Sequence, residues 1–318
     1  MNLVCGDALQ YYATWPVPTA IVSDGPYGVG MGKVKTWDPG AKCPPEWYEP
    51  HVEAWSKRAS NQTTLWFWNT EINWARIHPI IEKHGWRYVS LNSWNKTKAM
   101  ISGNVNTQTI RHFPIVTEVC AHYVRDVKVA GMPIQAWFNH EWRRTGLPLR
   151  EANAACGVKN AATRKYLTLC HLWYFPPPDV FERLRAYANE HGNPKGRPYF
   201  DIDADAFKQD AKSKRKAHIN QYRAKFNCPF GSTNVWDRIP LRDSERVKAN
   251  GKAVHPNQKP IDLMCKIINA STDVGDVVWE PFGGLFTASL AAHRLGRMPC
   301  GAEINRGYYQ HGVARFGQ

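Results

Sequence analysis

Short apolar runs that end abruptly in glycine and proline constrain this chain most. Ala20-Ile21-Val22 runs into Ser23-Asp24-Gly25-Pro26-Tyr27-Gly28, and Val277-Val278-Trp279 runs into Glu280-Pro281-Phe282-Gly283-Gly284. A β-branched run stopped in this way reads as a buried strand whose C-terminal end breaks into a tight loop. Further strands are predicted over 63–68, 86–94, 117–124 and 299–304, and helices over 46–59, 72–84, 261–270 and 287–295. Strands alternating with helices at these intervals predict an α/β fold built on a doubly wound, mostly parallel sheet. Right-handed crossovers then gather the strand C-termini on one edge, where ligands bind.

Between Arg125 and about Trp236 the rhythm stops and charge rises, which predicts an insertion. The expected organisation is 1–125, an inserted and largely helical region over 126–236, and 237–318. Within the insertion, 149–158 and 159–167 read as helix, glycine turn, helix. Such a pair either places its second helix in a major groove or is an ordinary helical hairpin. In the first case Lys159, Asn160, Thr163 and Arg164 are the residues that could reach bases. A basic stretch over 201–226, with Lys212, Lys214 and Arg215, reads as a solvated helix face first and a phosphate contact second. Residues 28–50, rich in Gly, Pro and Lys, read as a flexible lid over the site.

The net charge of +14 favours a polyanionic partner, because Lys and Arg that neutralise phosphates release condensed counterions. Tryptophan is abundant and tilts the same way, although most of these rings should be core. The eight cysteines show no CxxC and no zinc spacing, so reduced thiols and no metal are expected. No apolar run approaches transmembrane length, and Met1-Asn2-Leu3-Val4 lacks a charged signal start; the expectation is a cytoplasmic protein with no membrane contact.

Two loops carry chemistry. Asp24 and the Gly25 carbonyl could accept the two N–H bonds of an exocyclic amine while Tyr27 stacks on its ring; taken alone, these residues read first as a turn with a solvated Asp. Strand, glycine loop and helix N-terminus at 277–287 form a cradle for the polar end of a cofactor. Glu303 ends the next strand, where an acid holds ribose hydroxyls in nucleoside-binding sheets.

Asp24-Gly25-Pro26-Tyr27, His255-Pro256-Asn257-Gln258-Lys259-Pro260, Glu280-Pro281-Phe282-Gly283-Gly284 and Gly301-Ala302-Glu303, in this order, resemble the β class of DNA amino-methyltransferases. The resemblance covers roughly 1–125 and 235–318. It implies a Rossmann-like methyltransferase fold with permuted motif order, an inserted target-recognition region, S-adenosylmethionine as cofactor and double-stranded DNA as substrate. It places Asp24, Gly25, Pro26 and Tyr27 at a flipped base, and Asp7, His255, Gln258, Lys259, Glu280, Phe282, Gly284 and Glu303 around the cofactor. Lys259, with His255 nearby, would sit by the cofactor carboxylate, Asp7 would face its adenine and Glu303 its ribose. Asp in the catalytic loop favours adenine N6 over cytosine N4. Three departures stand out: Gly25 for Pro, which should loosen the loop; Glu280 for Asp; and Leu285-Phe286 for Ser-Gly, where a Phe could narrow the cofactor pocket. The alternatives are an N4-cytosine or RNA methylase, or a DNA-binding protein that kept the fold without catalysis. A homodimer and a cognate restriction endonuclease stay open as partners.

Overall fold

In the computed structural model the described residues are 1–28, 43–97, 108–159, 163–170, 172–194, 196–202 and 222–317. In chain order the main elements are β1 (Asn2–Cys5), β2 (Ala20–Ser23), α1 (Glu49–Arg58), β3 (Thr64–Asn69), α2 (Glu71–Lys83), β4 (Trp86–Asn95) and β5 (Thr117–Arg125). After an inserted segment come β6 (Val235–Asp237), α3 (Ile261–Ser271), β7 (Val277–Glu280), α4 (Thr287–Arg294), β8 (Met298–Glu303) and α5 (Arg306–Ala314).

Alternation along the strands decides how these elements pack. Ile21, Leu65, Phe67 and Trp279 enter one core, while Ala20, Val22, Trp66, Trp68 and Val278 enter another. Strands that are apolar on both faces must be covered on both. Val52 and Trp55 of α1 with Ile77 and Ile81 of α2 cover the first face. Leu263, Met264, Ile267 and Ile268 of α3, with Ala288 and Ala291 of α4, cover the second. The tryptophans of β3 and β7 are therefore core, and they lend no support to a nucleic-acid surface.

The eight-stranded sheet runs β1-β8-β7-β2-β3-β5-β4-β6. Pairing is parallel from β1 through β3 and again between β4 and β6, whereas β5 is antiparallel to both neighbours. Trp279 lies opposite Ile21, and Glu280 opposite Gly301. The loops after β2, β7 and β8 consequently leave the sheet at the same edge.

By internal contacts the chain divides into 1–125 with 224–318, and 126–223. Residues 224–236, expected in the insertion, belong with the sheet. Lys225 Nζ reaches Asp273 at 2.7 Å and Asp276 at 2.6 Å, the Asn227 N–H donates to the Ala270 carbonyl at 2.7 Å, and β6 pairs with β4. The inserted unit has its own core of Trp137, Phe138, Trp142, Phe181, Leu184 and Phe200, supplied in part by helices Ile134–Arg144 and Pro178–His191. At its centre the fully buried Glu141 accepts from Arg144, Arg197 and the Phe200 N–H.

The helical pair expected over 149–167 is corrected. Among the described residues of this stretch only Glu151–Ala155 is α-helical, and the chain turns at Gly157 with φ +68°. Thr163–Leu167 is a π-helical turn, and 160–162 before it lie outside the described residues. Residues 29–42 of the expected lid and 203–221 of the basic stretch lie outside the described residues, and 222–226 are not helical. Among the described residues no helix is long and apolar enough to cross a membrane.

The Leu285-Phe286 departure resolves in the packing. Phe286 adopts a left-handed backbone (φ +54°) and is fully buried, its ring directed away from the cavity described below. Glycines make room for it: a Cβ on Gly301 would meet its ring at 2.9 Å and one on Gly312 at 2.8 Å. The strained backbone persists because the ring fills that space. Gly301→Ala should therefore destabilise the protein by about 1–3 kcal/mol, the usual cost of overpacking. In a Phe286→Leu background the same change should cost less. A double-mutant cycle by urea unfolding checks this, and equal costs in both backgrounds would exclude the contact.

Candidate active site

A cavity of about 550 Å³ opens at the edge where β2, β7 and β8 end. Its walls include Asp7, Asp24, Glu118, Lys259, Phe282 and Glu303. Sequence reasoning had singled out each of these except Glu118.

The loop after β2 is fixed at several points. The Tyr48 hydroxyl donates to the Pro26 carbonyl at 2.7 Å, and a Cβ on Gly25 would lie 2.6 Å from that hydroxyl and 2.8 Å from the Phe282 ring. Gly25 thus does not loosen the loop as expected; it is the residue that lets Tyr48 and Phe282 close against the backbone. Tyr27 donates its hydroxyl to Asp24 Oδ1 at 2.9 Å and to Glu118 Oε2 at 3.1 Å.

Lys259 sits at the centre of this group, almost wholly buried. Its ammonium lies 2.8 Å from Asp24 Oδ1, 2.7 Å from the Tyr27 hydroxyl and 3.2 Å from Glu118 Oε2, while Lys96 pairs with Glu118 Oε1. Burial opposes charge on Glu118, but the Lys259 and Lys96 ammonium groups outweigh it and hold the carboxyl down at about 2. Burial likewise disfavours the Lys259 ammonium, yet Asp24 and Glu118 raise its pKa above the usual value. Burial and then the two carboxylates push the Tyr27 phenol well above its ordinary range, so it remains a donor. In this structure Lys259, expected beside a cofactor carboxylate, lines the cavity and contacts Asp24 and Tyr27 of the loop after β2.

The rest of the cavity carries the remaining predicted residues. Glu303 accepts the Gly284 N–H at 2.6 Å and the Asn305 N–H at 2.7 Å, which fixes its carboxylate across the glycine loop. Asp7 accepts the Leu9 N–H at 3.0 Å. Gln258 is turned to its own segment, accepting from the Val247 N–H at 3.0 Å. His255 lies edge-on to Tyr308, 4.8 Å between ring centroids. Burial, helped by Lys259 and Arg246, lowers its pKa to about 4 and keeps it neutral near pH 7. Glu280 lines the cavity as well, but its oxygens are engaged by backbone. Its oxygens accept the Ala288 and Ser289 N–H groups at 2.9 and 2.6 Å, capping α4 from beneath. Burial raises its carboxyl to about 7.

Trp47 and His51 also line the cavity, with ring centroids 5.5 and 4.9 Å from that of Phe282. Sequence reasoning missed them, along with Lys96 and Glu118. One signal was available: Glu118 is a lone acid in the β-rich run 117–124. Of the expected DNA-contacting residues, Lys159 is exposed on the inserted unit and Asn160 lies outside the described residues. Thr163 and Arg164 belong to the π turn.

A family profile described as "DNA methylase" matches residues 19–314. The chain is 34% identical over 121 residues to "DNA adenine methyltransferase YhdJ" of Escherichia coli (strain K12), covering 37% of this chain and 40% of that protein. It is 34% identical over 96 residues to "Type II methyltransferase M.HinfI" of Haemophilus influenzae, covering 30% and 25%. These alignments thus span less than half the length of either relative. Among solved structures, the M1.HpyAVI–SAM complex superposes with a TM-score of 0.54 at 15% identity, covering 100% of this chain and 99% of that one. The PvuII DNA methyltransferase (cytosine-N4-specific) gives 0.56 at 12% identity, covering 99% and 85%. At such identities the two structures speak for the fold.

The ion cluster imposes a pH dependence. The Glu118 pKa in the folded state lies below its ordinary 4.5, so its stabilising contribution is complete above that value and is lost as pH falls through about 2. The shift corresponds to about 3 kcal/mol. Urea unfolding at pH 6 and pH 3 should show the wild type losing more stability on acidification than Glu118→Gln. Equal losses would mean that Glu118 is not held ionised by the two lysines.

Proposed function

The chain belongs to the DNA methylase family, and from that premise we propose that it methylates double-stranded DNA. The reaction would transfer a methyl group from S-adenosylmethionine to the exocyclic N6 amine of adenine at a specific site. The observation that carries this reading is Asp24, a carboxylate held by Lys259 and Tyr27 at the mouth of a parallel-sheet cavity that also contains Glu303 and Phe282.

The residues suit the cofactor. A cavity of about 550 Å³ lies within the range of small-molecule sites. Glu303 uses one lone pair of each oxygen on backbone N–H groups and retains capacity for hydroxyl donors. Phe282, Trp47 and His51 offer aromatic surface, Asp7 a further acceptor. When bound, S-adenosylmethionine supplies an electrophilic methyl carbon on a sulfonium sulfur.

The chain's own residues would act on the amine. Both bonds to Asp24 from described residues fall on Oδ1, which leaves Oδ2 to accept one substrate N–H. The Pro26 carbonyl is engaged by Tyr48, and the Gly25 carbonyl would accept the other. Two acceptors draw the nitrogen towards sp³ and aim its lone pair along the line of attack, which is the positioning term in catalysis. Transfer would form the C–N bond as the C–S bond breaks, and Asp24 would receive the proton the amine then sheds. A base inside a duplex cannot reach the cavity and must flip out, at a cost of a few kcal/mol that stacking on Tyr27 partly offsets. A second copy of the chain and a cognate nuclease, both left open by the sequence, enter none of these steps. DNA as substrate agrees with the cytoplasmic location expected from the sequence.

Asp24→Ala should lower the single-turnover rate of methyl transfer more than tenfold, which is about 1.4 kcal/mol in barrier, while cofactor affinity stays within a few-fold. Glu303→Ala should instead weaken S-adenosylmethionine binding by calorimetry. Expression in methylation-free cells with long-read mapping of modified bases tests the substrate. N6-methyladenine at one recurrent site is the expected result. N4-methylcytosine would move the assignment to cytosine, and the absence of both would end it.

A further inference from the structure

Glu118 lies at the start of β5, where it faces Trp94 across the sheet. Its surroundings differ from those of a surface acid. One carboxylate oxygen meets Lys96, and the other meets Lys259 at 3.2 Å and the Tyr27 hydroxyl at 3.1 Å. A buried ammonium such as that of Lys259 requires charged partners, and one carboxylate would leave it under-compensated. Asp24 and Glu118 together supply two. The groups facing Lys259 are Asp24 and Tyr27 from the loop after β2, Glu118 and Cys120 from β5, Lys96 from the end of β4, and His255 on its own segment. The Trp68 ring of β3 lies beneath, 5.5 Å from Nζ.

We propose that Glu118 is a positioning residue, which holds the Lys259 ammonium against Asp24 Oδ1 and thereby fixes Oδ2 as the oxygen offered to the substrate amine. The proposal rests on the methyltransferase reading and adds to it a residue that acts through Lys259 and Tyr27. Its chemistry is orientation. An Asp carboxylate without a partner samples rotations that exchange its two oxygens, whereas an ammonium on Oδ1 and a phenol on the same atom stop that exchange. Glu118 grips both donors at once. Lys96 occupies the other Glu118 oxygen, so the acid cannot swing away. A misplaced acceptor spoils an in-line displacement steeply, since errors near 1 Å cost on the order of 100-fold in rate.

A merely structural ion pair and a positioning device predict different behaviour. In Glu118→Gln the rate of methyl transfer under single turnover should fall about 10- to 100-fold. The dissociation constant for S-adenosylmethionine should stay within about threefold, because that site lies across the cavity. The alkaline limb of the pH–rate profile should also move to lower pH, because Lys259 loses one of its two carboxylates and deprotonates more readily. Glu118→Asp keeps the charge and should recover part of the rate, with its alkaline limb between the other two. Should Glu118→Gln fail to fold, Glu118→Asp carries the same test on its own: a lowered rate and a lowered limb are expected. A rate within threefold of wild type, or an unmoved alkaline limb, would overturn the proposal. A wild-type protein that transfers no methyl group to any duplex would instead overturn the methyltransferase reading, and the proposal with it.

Discussion

A single buried ammonium ties together parts of the chain that are far apart in sequence. Lys259 enters from the segment before α3, Asp24 and Tyr27 from the loop after β2, and Glu118 from β5. Taking these charges out of water costs several kcal/mol per ion, and only the mutual geometry recovers it. The cluster therefore forms when the sheet has assembled in its observed order, with β2 between β7 and β3 and β5 beyond. No local fragment could satisfy Lys259. This makes the site a readout of correct folding as well as a place for chemistry.

The opposite wall is built on a different constraint, the close approach of backbone to ring. A Phe286 ring turned towards the glycine loop's open side would close the cavity that the loop lines. The left-handed backbone at Phe286 instead sends the ring down between β8 and α5, into space left by Gly283, Gly301 and Gly312. Glu280 completes the arrangement from below. Its longer side chain reaches the second and third residues of α4 and satisfies N–H groups that a helix end leaves open. The departures at Glu280 and Phe286 are thus parts of one packing solution: Phe286 packs away from the cavity, while Glu280 lines it and caps α4.

Strands β2, β3 and β7 were legible in the sequence because they are apolar on both faces, and glycine or proline marks the loops after β2 and β7. The short, half-exposed β6 was not legible. The edge of the sheet where chemistry gathers followed from parallel winding, and Asp24, Lys259, Phe282 and Glu303 do meet there. What the residues could not convey was the partner of each charge. The family resemblance placed Lys259 only by a cofactor carboxylate; its contact with Glu118 depends on β5 lying in the sheet beside it. The direction in which the Phe286 ring points was equally hidden, because it depends on Gly301 and Gly312, each contributed by another element. Gly25 was misjudged for the same reason: the space beside it is filled by Tyr48 and Phe282, neither adjacent in sequence.

The inserted unit shows why the target-recognition role proposed for it is the least legible part of the reading. Its order comes from a core of aromatic side chains around a buried carboxylate, Glu141, that is satisfied by Arg144, Arg197 and a backbone N–H. That core requires apolar residues at certain positions and leaves the outward ones unconstrained. Base readout depends on those outward side chains and on the angle at which they are presented. The loss of strand rhythm and the rise in charge marked this region as an insertion. They carried no information on which outward side chains of 159–167 would be presented, or at what angle.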